Sequence, residues 1–191
     1  MAEKNPALNC VTPKGRLSFP QLFEAKAFQK NEPKFSATIL FDKKTDLADL
    51  KKAVKEAIKD KWGDQVPKGL SLPFKDGDEK DTEGYAGTVY VSASSKFKPQ
   101  IVDQKREEIL AHEDIYAGCF VRFSLTANAW ELKEGKAILK RGVSFYLNAV
   151  QKLADGERMV KRKNASDIFG DVETDGSNDA SNFEDEDDFL K

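Results

Sequence analysis

The chain has 191 residues, of which 39% are hydrophobic and 34% charged, with a formal net charge of −2. That size suits one domain with a real core plus appendages and excludes two large domains. Two cysteines, Cys10 and Cys119, and a single histidine exclude a disulfide framework and a zinc cluster, so neither metal nor cofactor is expected. No apolar run approaches the length of a bilayer span, and the amino terminus lacks the basic and apolar regions of a signal peptide. A membrane partner is therefore not expected, and the chain is expected to stay in the cytoplasm.

The net charge conceals an asymmetry. Residues 166–191 hold ten acidic side chains and one lysine, net −9, while the preceding 165 residues hold 30 basic and 23 acidic ones, net +7. A basic body favours a polyanionic ligand, and the acidic tail suggests a separate duty.

After a polar start, residues 14–23 (KGRLSFPQLF) alternate weakly, with Leu17 and Phe19 on one side, Arg16 and Ser18 on the other, and Pro20 breaking the ladder. Residues 34–41 (KFSATILF) alternate clearly and predict a strand with Phe35, Ala37, Ile39 and Phe41 inward. The period then changes. Over 46–62, Leu47, Leu50, Val54, Ala57 and Ile58 recur at helical spacing, with Thr45 or Asp46 to cap the start and Gly63 to end it. Residues 66–84 form a loop rich in proline, glycine and acids. Its Asp76, Asp78, Glu79, Asp81 and Glu83 lack the glycine and terminal glutamate of a calcium loop and read as turn material.

Residues 88–98 (TVYVSASSKFK) return to alternation, with Val89, Val91 and Ala93 inward and Thr88, Tyr90, Ser92, Ser94 and Lys96 outward. Phe97 sits between Lys96 and Lys98, residues 99–103 read as a short extended segment, and residues 105–113 suggest one or two helical turns. His112 has no partner for nucleophilic catalysis and reads as a surface residue.

Residues 118–130 (GCFVRFSLTANAW) are the most regular stretch. Cys119, Val121, Phe123, Leu125, Ala127 and Ala129 make a wholly apolar face, opposite Phe120, Arg122, Ser124, Thr126, Asn128 and Trp130. Rings beside a cation and small hydroxyls suit a single-stranded nucleic acid, although a loop or second subunit would also cover such rings. A polar connection over 131–140 contains Glu134-Gly135-Lys136, which lacks the earlier glycine and following hydroxyl of a phosphate loop. Residues 142–153 (GVSFYLNAVQKL) predict the last strand, with Val143, Phe145, Leu147 and Ala149 inward and Ser144, Tyr146, Asn148 and Val150 outward. Beyond a basic linker at 161–163, the tail has too few apolar residues to offset its ordering entropy.

The pattern predicts a mainly β fold: a five-stranded antiparallel barrel of the oligonucleotide-binding (OB) kind over residues 1–160, with one inserted α-helix. Residues 161–191 are expected to form a basic linker and a disordered acidic tail. Other small barrels share this pattern. LPFKDGDEK, SSKFKPQIVD, IYAGCFVRFSL and GVSFYLNAVQKLADGE resemble successive blocks of a bacteriophage family of single-stranded-DNA-binding proteins. The resemblance implies an OB fold and a role in DNA replication or recombination in the cytoplasm of the infected bacterium. It also implies an acidic tail that recruits replication proteins.

The favoured function is therefore non-catalytic binding of single-stranded DNA with little sequence preference. A metal-dependent nuclease using the acids of residues 76–83 and a protein-binding adaptor are the alternatives. Candidate DNA-contacting residues are Arg16, Tyr90, Lys96, Phe97, Lys98, Phe120, Arg122, Trp130, Arg141 and Tyr146. Phe183, Glu184, Asp185, Glu186, Asp187, Asp188 and Phe189 are the candidate partner-binding residues of the tail, which also competes for the groove. A homodimer is one of the assemblies left open.

Overall fold

The computed structural model describes residues 5–27 and 32–159. The linker and tail of 161–191, with Phe183 to Phe189, lie outside the described residues. In chain order the elements are β1 (Asn9–Val11), β2 (Gly15–Lys26), β3 (Lys34–Asp42), α1 (Ala48–Trp62), β4 (Phe74–Asp76), β5 (Thr88–Ser95), β6 (Gln100–Val102), β7 (Phe120–Glu134) and β8 (Ala137–Ala154).

Five of these strands close into a ring, in which β2 pairs with β3, β3 with β5, β5 with β8, β8 with β7 and β7 with β2. This is the expected OB-type barrel. Three short strands pair outside the ring: β6 on β8, within the extended segment expected over 99–103, and β1 on β7 and β4 on β5, which were not expected. The antiparallel expectation is corrected at one seam of the ring, where β5 and β8 run parallel, with Ala93 opposite Phe145 and Ser94 opposite Tyr146. A closed ring of five strands cannot alternate direction throughout, so one of its pairs must be parallel.

The inward faces fill the barrel. Leu17, Ile39, Val91, Val121, Phe123 and Leu125 are fully buried, and Phe41, Phe145 and Leu147 nearly so. Each such side chain contributes about 1.5 to 3 kcal/mol on leaving water. Helix α1 buries Leu50, Ala53, Val54 and Ala57 and packs against β7 and β1. It starts at Ala48 rather than Asp46, and its N-cap position is Leu47, without a side-chain cap; Asp46 Oδ1 nevertheless accepts from Ala48 N at 2.9 Å. Gly63, at φ 62°, ends it as expected.

Four further expectations are corrected. Phe19 does not share the Leu17 side, because a register shift between Ser18 and Gln21 makes a bulge at which Phe19 has φ 46° and is 52% exposed. A non-glycine residue held there costs about 1 to 3 kcal/mol. Val150 turns inward, fully buried, because Asn148 is an extra residue in β8 and reverses the alternation after Leu147. Residues 131–140 are the end of a long hairpin rather than a plain connection, since Glu131–Arg141 and Leu132–Lys140 continue the β7–β8 ladder to a turn at Gly135. The helical turns expected over 105–113 reduce to a single 3-10 turn, His112–Asp114.

Candidate nucleic-acid interface

The outer side of β3, β5 and β8 is where alternation places the small hydroxyls. Thr38 and Ser92, paired across β3 and β5, join their hydroxyls at 2.8 Å, and Ser36 Oγ donates to Gln21 Oε1 at 3.4 Å. On the β7–β8 side, Asn148 Nδ2 donates to Thr126 Oγ1 at 2.9 Å, and Thr126 in turn donates to Asn9 Oδ1 at 2.6 Å. These bonds order a polar surface without charging it.

A groove of about 400 Å³ opens at one end of this surface, lined by Lys34, Ser94, Ser95, Lys96, Phe97, Thr126, Tyr146 and Asn148. Register explains the assembly: Ser94 faces Tyr146 across the parallel seam, and Tyr146 faces Thr126 on β7. Phe97 is 82% exposed and Tyr146 49% exposed, so two large rings stand in solvent beside two ammonium groups. Lys96 pairs with Glu32, and its hydrogen bond holds the Glu32 carboxyl below the usual range. Both side chains are exposed, so solvent screens the pair and an incoming anion can displace it.

A second aromatic group sits further along β5. Lys80 Nζ lies 4.8 Å from the Phe19 ring centroid, 4.4 Å from that of Tyr85 and 5.1 Å from that of Tyr90. Tyr85 is fully buried, donates its hydroxyl to Ser18 Oγ at 3.0 Å and meets Tyr90 edge-on at 5.1 Å. Burial raises its phenol above the ordinary value.

Residues 77–87, the loop that carries Lys80 and Tyr85, are clamped at their base. Lys43 Nζ meets Asp76 at 3.0 Å and Asp78 at 2.5 Å, and Asp78 Oδ1 accepts from Gly87 N at 2.6 Å. The Asp78 carboxyl is lowered first by the Gly87 amide and then by Lys43; that of Asp76 is lowered first by the Asp78 amide and then by Lys43. Two of the acids that a metal-dependent nuclease would need are thus spent on holding a loop.

The structure brings Lys96, Phe97 and Tyr146 into one groove and sets Tyr90 on the same strand face. The other candidates are dispersed. Arg16 donates to Glu157 O at 2.8 Å, and its Nε is buried without a partner among the described residues. Phe120 lies under Lys14 Nζ at 5.2 Å, and Arg122 Nε donates to Gln151 Oε1 at 2.7 Å. Lys98 lies 5.6 Å from the Phe23 ring, on which His112 stacks at 3.9 Å. Trp130 and Arg141 stand at the base of the long hairpin, facing Gly142 and Glu131 respectively. Outward parity singled out Lys96 and Tyr146, and the flanking lysines singled out Phe97; Lys34, Phe19, Lys80 and Tyr85 were not among the candidates. The Phe19-Pro20 pair inside a strand was the available signal, since proline and the residue before it mark a departure from the ladder.

Neither cysteine offers a thiolate at neutral pH. Burial, and secondarily Asp49, pushes the Cys10 thiol up to about 11, and burial also raises Cys119.

A family model described as "Enterobacter phage Enc34, ssDNA-binding protein" matches residues 8–181. A "putative protein p50" of Acyrthosiphon pisum secondary endosymbiont phage 1 is 32% identical over 155 residues, covering 74% of this chain and 81% of that protein. The solved structure of the single-stranded DNA-binding protein from bacteriophage Enc34 is 26% identical with TM-score 0.68, covering 85% of this chain and 90% of its own. The same phage protein in complex with ssDNA matches at 24% identity and TM-score 0.65, over 80% of this chain and 90% of that one, and at that identity speaks to the fold alone.

Proposed function

Because this chain belongs to the family of the Enterobacter phage Enc34 ssDNA-binding protein, we propose that it binds single-stranded DNA along the outer side of β3, β5 and β8 without catalysing a reaction. The observation that carries this is the groove in which exposed Phe97 and Tyr146 stand beside Lys34 and Lys96. Rings stack on any base and ammonium groups meet phosphate, so affinity follows from the single strand and from salt rather than from sequence. Bidentate groups able to read base edges are sparse on this surface.

The binding domain is taken as residues 1–160. Its biological setting is the cytoplasm of the infected bacterium, where it shields strands exposed during phage DNA replication or recombination. Residues 161–191 then act as a polyanion. Their acidic stretch, residues 166–191 at net −9 against +7 for the preceding 165 residues, competes with DNA for the groove and recruits replication proteins through Phe183, Phe189 and the acids between them.

Titration with oligothymidylate, followed by fluorescence or anisotropy, tests the groove. Phe97→Ala and Tyr146→Ala should each weaken binding by about 1 to 3 kcal/mol, while Leu132→Ala on the hairpin should not. If both ring variants remain folded and bind as the parent does, the groove is not the binding surface.

A further inference from the structure

We propose that Phe19 and Lys80 form a second nucleotide subsite of the same interface, with the Phe19 ring stacking a base and the Lys80 ammonium meeting the adjoining phosphate. The inference rests on the single-stranded-DNA function proposed above and extends it to residues outside the groove. Its first support is the conformation of Phe19. At a bulge, with φ 46° and Pro20 next, the backbone takes a strained form that holds a large apolar ring 52% exposed. Alternation would have sent the ring inward beside Leu17, where burial rewards it; here the bulge displays it instead.

The second support is the cation. Lys80 Nζ lies within 5.1 Å of the centroids of Phe19, Tyr85 and Tyr90, and it pairs with no carboxylate among the described residues. An ammonium held over rings, with no counter-charge among the described residues, is placed to meet a phosphate while the exposed Phe19 ring stays available to a base. Buried Tyr85, bonded to Ser18, backs this arrangement.

The third support is continuity. Tyr90, Ser92 and Ser94 are successive outward positions of β5, and Ser94 is in register with Tyr146. Four residues of strand span about 13 Å, so one single strand running along β5 meets both ring groups.

The test uses the full chain and oligothymidylates from about 4 to about 16 nucleotides, the range covered by single OB folds. In the parent, affinity should rise with length until both subsites are occupied. Phe19→Gly, which suits the positive φ, should lower the ratio of long- to short-oligonucleotide affinity about tenfold or more, and Phe19→Trp should restore it. Lys80→Gln should reduce the slope of log affinity against log salt by about 0.7 with the long oligonucleotide. A ratio unchanged in Phe19→Gly overturns the subsite while leaving the groove intact. Equal losses at every length together with a lowered Tm overturn it too, because the ring is then a clasp for the loop. A parent that binds no oligothymidylate overturns the DNA-binding function and the subsite with it.

Discussion

Glu32 and Gly118 illustrate two kinds of residue that parity along a strand does not reveal. Glu32 neutralises Lys96 at the lip of the groove, so a phosphate entering there must displace a carboxylate first. Glu32→Gln should tighten single-stranded DNA binding at low salt by about threefold, and the gain should fade as salt screens the pair. Equal affinity of variant and parent at low ionic strength would place the phosphate elsewhere. Gly118 has φ 115°, and a Cβ there would stand 2.0 Å from Glu157 O; a Cβ on Gly156 would likewise meet Gly118 O at 2.2 Å. The two backbones approach too closely for any side chain, and Tyr116 locks them by donating its hydroxyl to Asp155 at 3.0 Å. Gly118→Ala should therefore cost about 3 kcal/mol and lower Tm on the order of 10 °C, measurable by calorimetry. The IYAGC and ADGE motifs, which suggested the family, thus owe part of their character to backbone packing rather than to contact with DNA.

At the level of elements, the loop of residues 77–87 is held by a clamp that acid loosens. Asp76 and Asp78 are both depressed below their ordinary value of 3.8 in the folded chain. A depressed carboxyl stabilises the fold above its unfolded pKa, and that contribution disappears as pH falls through the lower, folded value. The Tm of the parent should accordingly fall below about pH 4, and Asp78→Asn, already lacking the carboxylate, should show a lower Tm at pH 7 and a shallower acid decline. Parallel Tm–pH curves for the two would show that the clamp does not hold the loop. The strands themselves were legible wherever alternation was uninterrupted. Residues 34–41, 88–95 and 119–127 fold with the faces that their sequence predicts. Bulges at Phe19 and Asn148 were not legible, because one inserted residue reverses parity without changing composition. Nor were β1, only three residues long, and the long hairpin arm, whose apolar Leu132, Ile138 and Leu139 are exposed and carry no inward stripe; their pairing partners are supplied by β7 and β8 themselves.

For the whole molecule, ring closure decides which candidates can act together. Lys96, Phe97 and Tyr146 come from sequence positions 50 residues apart, and the parallel β5–β8 seam joins them. No local pattern announces a parallel pairing of two residues, so the sequence singled out three members of the groove without Lys34 and without the groove's boundaries. Arg122 and Arg141 lie at positions of opposite parity on the β7–β8 ladder, and each faces a different partner, Gln151 and Glu131 respectively. Charge separation between body and tail operates at this scale as well. Ending the chain after Asn164 removes the −9 segment and should tighten DNA binding at low salt, with the advantage vanishing at high salt. Unchanged affinity at low ionic strength would reduce the tail to a solubilising appendage.

Photocrosslinking of the full chain to a halogenated oligothymidylate, followed by mass spectrometry of the attached peptides, tests most directly where the single strand lies. The expected crosslinks fall on Phe97 and Tyr146, with Phe19 or Tyr90 joining as the oligonucleotide lengthens. Crosslinks concentrated instead on Phe120, Trp130 or Trp62, with Phe97 and Tyr146 unmarked, would contradict an interface on the outer side of β3, β5 and β8.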